Sequence, residues 1–209
     1  MTTTGSIRRG YHHGDLRQAV LAAALDVIAT DGPGALSLRD LARRAGVSHA
    51  APAHHFKDRT GLLTAIAAQG YELLAAALTD APDLRERGVR YVRFAVAHPA
   101  HFQVMFQPEL YRDRADDPEL LAAKELAAAE LRAGVVTLPA ARSSDSPGSP
   151  GSPDPRDTGV AAWSMAHGFA TLLLTHNLDA PLDGRDPGEV FRALAGLLGS
   201  GQLADIERE

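Results

Sequence analysis

Residues 37–56 read SLRDLARRAGVSHAAPAHHF and decide the fold of the N-terminal part of this chain. A short helix is predicted to open at Ser37, with Asp40 three residues later completing a capping box. Gly46 supplies the positive φ that a sharp turn requires, and a second short helix opens at Ser48, a capping residue. Two short helices joined by a tight turn containing glycine are typical of a helix-turn-helix.

The helix pair lies in a basic part of the chain. Residues 1–60 carry a net charge of +3 and the remaining residues carry −8, within a total of −5. In a helix-turn-helix the second helix enters the DNA major groove, while basic side chains beside it bind phosphates. The predicted phosphate ligands are Arg39, Arg43, Arg44, Lys57 and Arg59.

The rest of the sequence is helical in pattern, because Ala and Leu dominate and no alternation of period two persists. Gly, Pro and Asp divide it into helices at about 15–30, 59–78, 83–97, 117–138, 157–178 and 187–198, with one more opening at His98-Pro99. The expected fold class is all-α. Residues 143–158, SSDSPGSPGSPDPRDT, contain no apolar side chain and predict a flexible loop.

The sequence lacks residue types and motifs that several classes of function require. The chain has no cysteine, which rules out a disulfide framework, a thiolate zinc site and a cysteine nucleophile. It contains no GxSxG, HExxH or phosphate-binding glycine loop, so we expect no enzyme, no cofactor and no metal. No apolar run of 18 residues is free of polar breaks, and residues 1–9 lack the apolar core of a secretory signal. A cytoplasmic protein without a membrane partner is expected.

The span from His13 to Ala67 resembles the TetR family of bacterial transcriptional repressors. Residues 37–48 resemble its second helix and turn, and residues 54–63, HHFKDRTGLL, resemble the end of its recognition helix and the start of helix four. The resemblance implies that the residues after Ser48 face DNA bases and that others lie near the backbone. The residues implied to face bases are His49, Ala50 and Ala51; those implied near phosphates are Ser37, Arg39, His55 and Arg59.

One position departs from that family pattern. The family usually places a tyrosine three residues before the closing phenylalanine, here Phe56, whereas this chain has Ala53 there and Pro52 before it. Proline is tolerated in the first turn of a helix. Whether His54 replaces the phosphate contact of the missing tyrosine is left open.

The C-terminal part is similar to the TetR subgroup whose regulatory region is called the WHG domain. The similarity lies in His98-Pro99-Ala100-His101-Phe102, in Met105-Phe106, and in Trp163 to Gly168. It implies a pocket for an apolar effector, although these side chains could equally form core. The candidate pocket residues are Phe102, Met105, Phe106, Trp163 and His167.

The last helix carries an apolar stripe wider than one neighbouring helix requires. Its members are Val190, Phe191, Leu194, Leu197 and Leu198. With the Trp163 helix, the stripe would form a four-helix bundle between two copies, as the resemblance implies. The expected organisation is an N-terminal arm (1–12), a helix-turn-helix domain (13–58) and a ligand-binding and dimerisation domain (59–209).

The sequence therefore predicts a ligand-responsive repressor that binds a palindromic DNA operator as a homodimer and is released by a small hydrophobic molecule. Two alternatives come from other classes of protein. In one, the helical head binds protein and the chain is an interaction adaptor without a specific operator. In the other, the chain is a helical enzyme with a deep apolar cavity.

Overall fold

A computed structural model describes residues 13–136 and 154–199, and within these residues every regular element is helical, which confirms the all-α class. The predicted arm 1–12 and residues 143–153 of the predicted loop lie outside the described residues. The α-helices are α1 (His13–Asp31), α2 (Leu38–Arg44), α3 (Ala51–Phe56), α4 (Arg59–Leu78), α5 (Leu84–Ala97), α6 (Pro99–Met105), α7 (Pro118–Val136), α8 (Pro155–Leu174), α9 (Asp179–Leu182) and α10 (Pro187–Gly199). The 3₁₀ segments are Pro33–Ala35 and Pro108–Arg114.

The head comprises α1, α2 and α3, and its core continues into α4. One face of α1 is fully buried, including Val20, Ala24 and Ile28. It packs in one hydrophobic cluster with Leu41 of α2, Phe56 of α3 and the first turns of α4. The core of the head therefore extends past the expected domain boundary between residues 58 and 59.

The body packs α5 and α7 around the long helix α4, with α8 and α10 against α5. A second cluster fills the space between them and includes Tyr91, Phe169 and Phe191. Gly88 permits the close approach of α10, because a Cβ at that position would lie 2.5 Å from the Phe191 ring. Phe191 is therefore held against α5 within its own chain.

Helix α6 joins the two cores. Its residues Ala100 and Val104 belong to the cluster of the head, whereas Phe102 and Met105 belong to that of the body. A second connection lies at the start of α4, where Arg114 donates to Asp58 at 2.8 Å. The Gly61 backbone N–H and Arg114 both stabilise the Asp58 carboxylate and hold its pKa below the usual value. Helix α6 and this ion pair therefore both connect the head to the body.

Several predicted helix boundaries differ from those observed. Helix α8 begins at Pro155, capped by Asp154, so the last residues of the predicted loop are helical. It ends at Leu174 rather than near residue 178, and the short helix α9 follows. The 3₁₀ segment Pro108–Arg114 was not predicted, because a segment of seven residues is shorter than the window in which a helical period can be recognised.

Helix α4 is apolar enough, and long enough, to meet the length and composition test for a membrane span. Ten of its twenty residues are buried, including Leu62, Ile66, Leu74 and Leu78. Core helices of water-soluble proteins meet the same test, and α4 is the central core helix of this fold.

Candidate DNA-binding surface and effector cavities

The turn between α2 and α3 has the geometry that the sequence predicts. Gly46 adopts φ +65°, and the Val47 N–H donates to the Ala42 carbonyl at 3.0 Å. Helix α3, however, starts at Ala51 and not directly after Ser48. Residues 48–50 form a turn, closed by the bond from the Ala51 N–H to the Ser48 carbonyl at 3.0 Å. The recognition segment is therefore a turn followed by a six-residue helix.

Two of the three residues predicted to meet DNA bases, His49 and Ala50, are exposed in this segment. Ser48 and His54, which belong to the predicted DNA-binding set, are exposed as well. Ala51 is not, since it is only 9% exposed and faces the head core. The expectation that Ala51 faces bases is thus corrected: a residue at the first position of α3 is turned inward here, and its methyl group packs rather than reads sequence.

The basic side chains around the segment fall into two groups. Arg39 and Lys57 are exposed, and no acidic side chain in the described ranges pairs with either. Arg43 and Arg44 bond the Asp40 carboxylate at 2.5 and 2.6 Å. This pairing, with Arg44 the larger cause, lowers the pKa of Asp40. Arg39 and Lys57 are therefore the cations most available to phosphate.

The other residues predicted to contact the DNA backbone also make contacts within the protein. Ser37 is exposed and occupies the N-cap position of α2, but the capping box is not formed because Asp40 bonds arginines instead. Arg59 is half-buried and donates to the Pro33 carbonyl at 2.7 Å. His55 is half-buried, with its ring centroid 6.3 Å from that of Phe56.

Three of the predicted pocket residues, Phe102, Phe106 and Trp163, surround a fourth, His167. The ring centroid of His167 lies 5.2 Å from that of Phe102, 4.4 Å from that of Phe106 and 5.8 Å from that of Trp163. The hydroxyl of Tyr91 lies 3.0 Å from His167 Nδ1. Burial lowers the pKa of His167 and raises that of Tyr91. A neutral His167 that accepts a hydrogen bond from the neutral Tyr91 hydroxyl agrees with both shifts.

Three cavities surround this aromatic cluster. The α5–α8–α10 cavity, of about 480 Å³, is lined by Tyr91, Trp163 and Phe191 among others. The α6–α8 cavity, of about 460 Å³, is lined by residues including Phe102, Phe106 and His167. The α4–α7 cavity, of about 330 Å³, is lined by Tyr71, Met105, Phe106, Tyr111, Lys124 and Trp163, with aliphatic side chains between them. All five predicted pocket residues therefore line at least one cavity.

Two tyrosines that were not predicted as functional residues hold the end of α6 in place. The hydroxyls of Tyr71 and Tyr111 donate to the Met105 carbonyl at 3.2 and 2.8 Å. On the same helix, His101 is only 5% exposed, and its Nε2 lies 3.1 Å from Gln69 Oε1. Burial, followed by the nearby His98, lowers the pKa of His101 to about 4. These bonds join residues 6 to 34 positions apart, a separation that local sequence patterns do not report.

The predicted dimer stripe divides into inward and outward residues. Phe191 is 1% exposed and packs against Phe169 of its own chain, so it belongs to the core and not to an outer surface. Leu194 and Leu197 are 40% and 41% exposed, and Val190 is half-buried. The side chain of Leu198 lies outside the description. Apolar side chains of α8 are also exposed, namely Val160, Trp163 and Leu172.

Metal ligands do not gather in the described ranges, where no three His, Asp or Glu side chains lie close enough to hold an ion. The paired histidines at 54–55 and 98–101 have other contacts. His54 stacks edge-on against His55, and His98 against His101.

The fold and its exposed recognition segment define a helix-turn-helix protein with a cavity-containing helical body. Residues 20–66 match the family model described as bacterial regulatory proteins, tetR family. Residues 84–198 match the model described as tetracyclin repressor-like, C-terminal domain. The chain belongs to the TetR family, and it is a DNA-binding transcription regulator and not an enzyme. Neither description names the WHG subgroup, which stays a prediction.

Solved structures of similar chains support this membership. A protein of unknown function from Rhodococcus sp. RHA1 is 34% identical, with a TM-score of 0.70, and the match covers 93% of this chain and 98% of that one. The TetR family transcriptional regulator PfmR from Thermus thermophilus is 25% identical (TM-score 0.57; 85% and 95% covered).

The TetR-like transcriptional regulator LfrR from Mycobacterium smegmatis, solved in complex with proflavine, is 22% identical (TM-score 0.52; 90% and 96% covered) and shares the fold. None of the curated proteins is significantly similar to this chain in sequence.

Proposed function

We propose that the protein is a cytoplasmic repressor that binds a palindromic operator as a homodimer and leaves it when a small apolar molecule binds the body. The observation that carries this proposal is the recognition segment. Ser48, His49, Ala50 and His54 are exposed there, and the cations Arg39 and Lys57, which no acidic side chain of the described ranges pairs, lie to either side in sequence. Buried contacts from the rest of the head hold the segment in position.

Contacts to DNA divide by chemistry. His49 and Ala50 would meet base edges, with the Ala50 methyl against thymine methyl groups. The other predicted residues would contact the backbone and set register and affinity. These backbone residues are Ser37, Arg39, Ser48, His54, His55, Lys57 and Arg59. Arg59 would have to give up or share its bond to Pro33 in order to reach a phosphate.

Dimerisation would use the outer surfaces of α8 and α10. Leu194, Leu197 and Val160 are each at least 40% exposed, and a two-fold axis would bury them against the same residues of a second copy. Symmetry then requires two recognition segments separated by one DNA turn, ~34–36 Å, or a multiple of it.

Release would act through α6. This helix contributes Phe102 and Met105 to cavity walls and Ala100 and Val104 to the core of the head. A ligand that binds more tightly when α6 is in one of two positions shifts the protein toward that conformation. The shift in the conformational equilibrium is limited by the difference in the ligand's affinity for the two conformations. Phe102, Met105, Phe106, Trp163 and His167 are the proposed contacts. The similar fold of LfrR, solved with proflavine, is compatible with an aromatic effector.

Selection of bound sequences from random duplex DNA tests the DNA half of the proposal. We expect an inverted repeat, and we expect His49→Ala to change the preferred base at one position of each half-site. His176→Ala is the matched control, because His176 is an exposed histidine beyond α8 in the body. An adaptor without an operator would yield no enriched sequence, and that result would reject the proposal.

Light scattering tests the homodimer. The expected mass is twice the 22.1 kDa of the chain. A monomer at operator-binding concentrations would contradict the symmetric arrangement.

A further inference from the structure

We propose that the α4–α7 cavity binds apolar molecules that carry a carboxylate, with Lys124 as the group that recognises the negative charge. The inference deepens the proposed effector response and rests on it. It starts from the cavity of about 330 Å³ whose lining includes Tyr71, Phe106, Tyr111, Lys124 and Trp163. Lys124 is the only charged residue among the described residues of that lining.

The ammonium of Lys124 is held at this wall without a carboxylate partner. It lies 5.8 Å from the ring centroid of Tyr71 and 5.5 Å from that of Tyr111, on the faces of both rings. No acidic side chain among those that the structure describes forms an ion pair with it. The neighbouring acids on α7 have other partners, since Glu125 pairs with Arg132 and Glu130 with Arg87.

A half-buried cation over two rings attracts an anion more strongly than an exposed one, because less water screens the charge. The tyrosine faces stabilise the ammonium but leave its N–H groups free to donate. A carboxylate in the cavity would accept those bonds, and its apolar part would lie against Met105, Phe106 and Trp163.

The other two cavities lack this combination. In the α5–α8–α10 cavity, Arg87 already donates to Glu130 and to the carbonyls of Leu78 and Ala81, while Arg85 is exposed to solvent. In the α6–α8 cavity no described lysine, arginine or acid contributes to the lining. The charge preference is therefore specific to the α4–α7 cavity.

The cavity is also placed to affect the head. Tyr71 and Tyr111, which lie under the Lys124 ammonium, are the two side chains that hold the Met105 carbonyl at the end of α6. A carboxylate that draws the ammonium from these rings would alter the environment of both hydroxyl-bearing rings. The charged part of the ligand would thus act directly on the junction between body and head.

Isothermal titration calorimetry with naphthalene-2-carboxylate and naphthalene-2-carboxamide tests the inference on the full-length protein. The two probes have the same shape and differ in charge. We expect the wild-type protein to bind the carboxylate about 10- to 100-fold more tightly, the factor that a hydrogen bond between charged groups supplies. Lys124→Met should remove that preference and leave carboxamide binding unchanged, while Lys124→Arg should keep it.

Equal affinity of the wild-type protein for both probes, or no binding of the carboxylate, would overturn the inference without any variant. A Lys124→Met protein that still prefers the carboxylate, or that loses both probes alike while its melting temperature is unchanged, would overturn it as well. Operator binding is measured on the same samples. Its failure would reject the proposed function, whereas intact operator binding with no charge preference would reject only this inference.

Discussion

The Met105 carbonyl at the end of α6 offers a quantitative test of how the body holds the helix that contacts the head. Tyr71 and Tyr111 both donate to this oxygen, at 3.2 and 2.8 Å, and Tyr111 is 1% exposed. Tyr111→Phe leaves the carbonyl with one donor and should cost about 1 kcal/mol of unfolding free energy. Tyr71→Phe removes the longer bond and should cost about 0.5 kcal/mol.

The double variant should cost more than the sum of the two changes. The two single changes together cost about 1.5 kcal/mol of unfolding free energy. With both hydroxyls gone, the buried Met105 carbonyl has no donor, and this adds about 1.5 kcal/mol more. The expected total is therefore about 3 kcal/mol, with a coupling energy of about 1.5 kcal/mol. Urea denaturation followed by circular dichroism, at one fixed protein concentration, measures all three variants.

The control cycle pairs Tyr111→Phe with Tyr91→Phe. The Tyr91 hydroxyl bonds His167 and not Met105, so these two changes should be additive to within about 0.5 kcal/mol. Additivity in the Tyr71–Tyr111 cycle would refute the reasoning, because it would show that the carbonyl finds another donor or water when both hydroxyls are removed.

Three further predictions follow from the described contacts. Arg39→Ala should reduce the slope of log K against log salt for operator binding by about 0.9 for each of the two copies, whereas Arg156→Ala on the body should not change it. Because the pKa of His101 is about 4 in the folded chain and about 6.5 in the unfolded chain, stability is lost as the pH falls from 6.5 to 4, by about 3 kcal/mol. Urea titrations across that range should show the loss in wild type and less of it in His101→Gln; equal pH dependence would contradict the assignment. Leu194→Glu should convert the dimer to monomer in sedimentation velocity, while Leu121→Glu, a similarly exposed leucine on α7, should not, and a dimeric Leu194→Glu protein would remove α10 from the interface.

The sequence was most informative where local chemistry determines structure. The glycine turn at Gly46, the start of α6 at Pro99 and the starts of α4, α5 and α7 depend on neighbouring residues, and each lies within one residue of the prediction. The family resemblance added the expected role of the head, and the matches at 20–66 and 84–198 confirm the family.

Errors arose where a segment is too short to show a period. Helix α3 has six residues, less than two turns, so the direction of each alanine could not be assigned from spacing and Ala51 was placed on the wrong side. Phe191 was included in an outer stripe because its inward partner, Gly88, is more than one hundred residues away in sequence.

Long-range polar contacts could not be predicted from the sequence for a related reason. The bond between Tyr91 and His167 spans 76 residues. Arg87 donates to the Leu78 carbonyl at the end of α4 and to the Glu130 carbonyl within α7, and these contacts depend on how the three helices pack in space. Lys124 has an ordinary helical context in sequence, and its position over two tyrosine rings follows only from the packing of α7 on α4 and on the 3₁₀ segment Pro108–Arg114.

The recognition segment at residues 48–54 is the centre of this account, and hydroxyl-radical footprinting on the selected operator tests it most directly. Two protected patches are expected, on one face of the duplex and about one helical turn apart or a multiple of it, related by a two-fold axis. His49→Ala should weaken both patches equally. A single asymmetric patch, or protection that persists unchanged when residues 48–54 are replaced by glycine and serine, would show that another surface of the protein binds DNA.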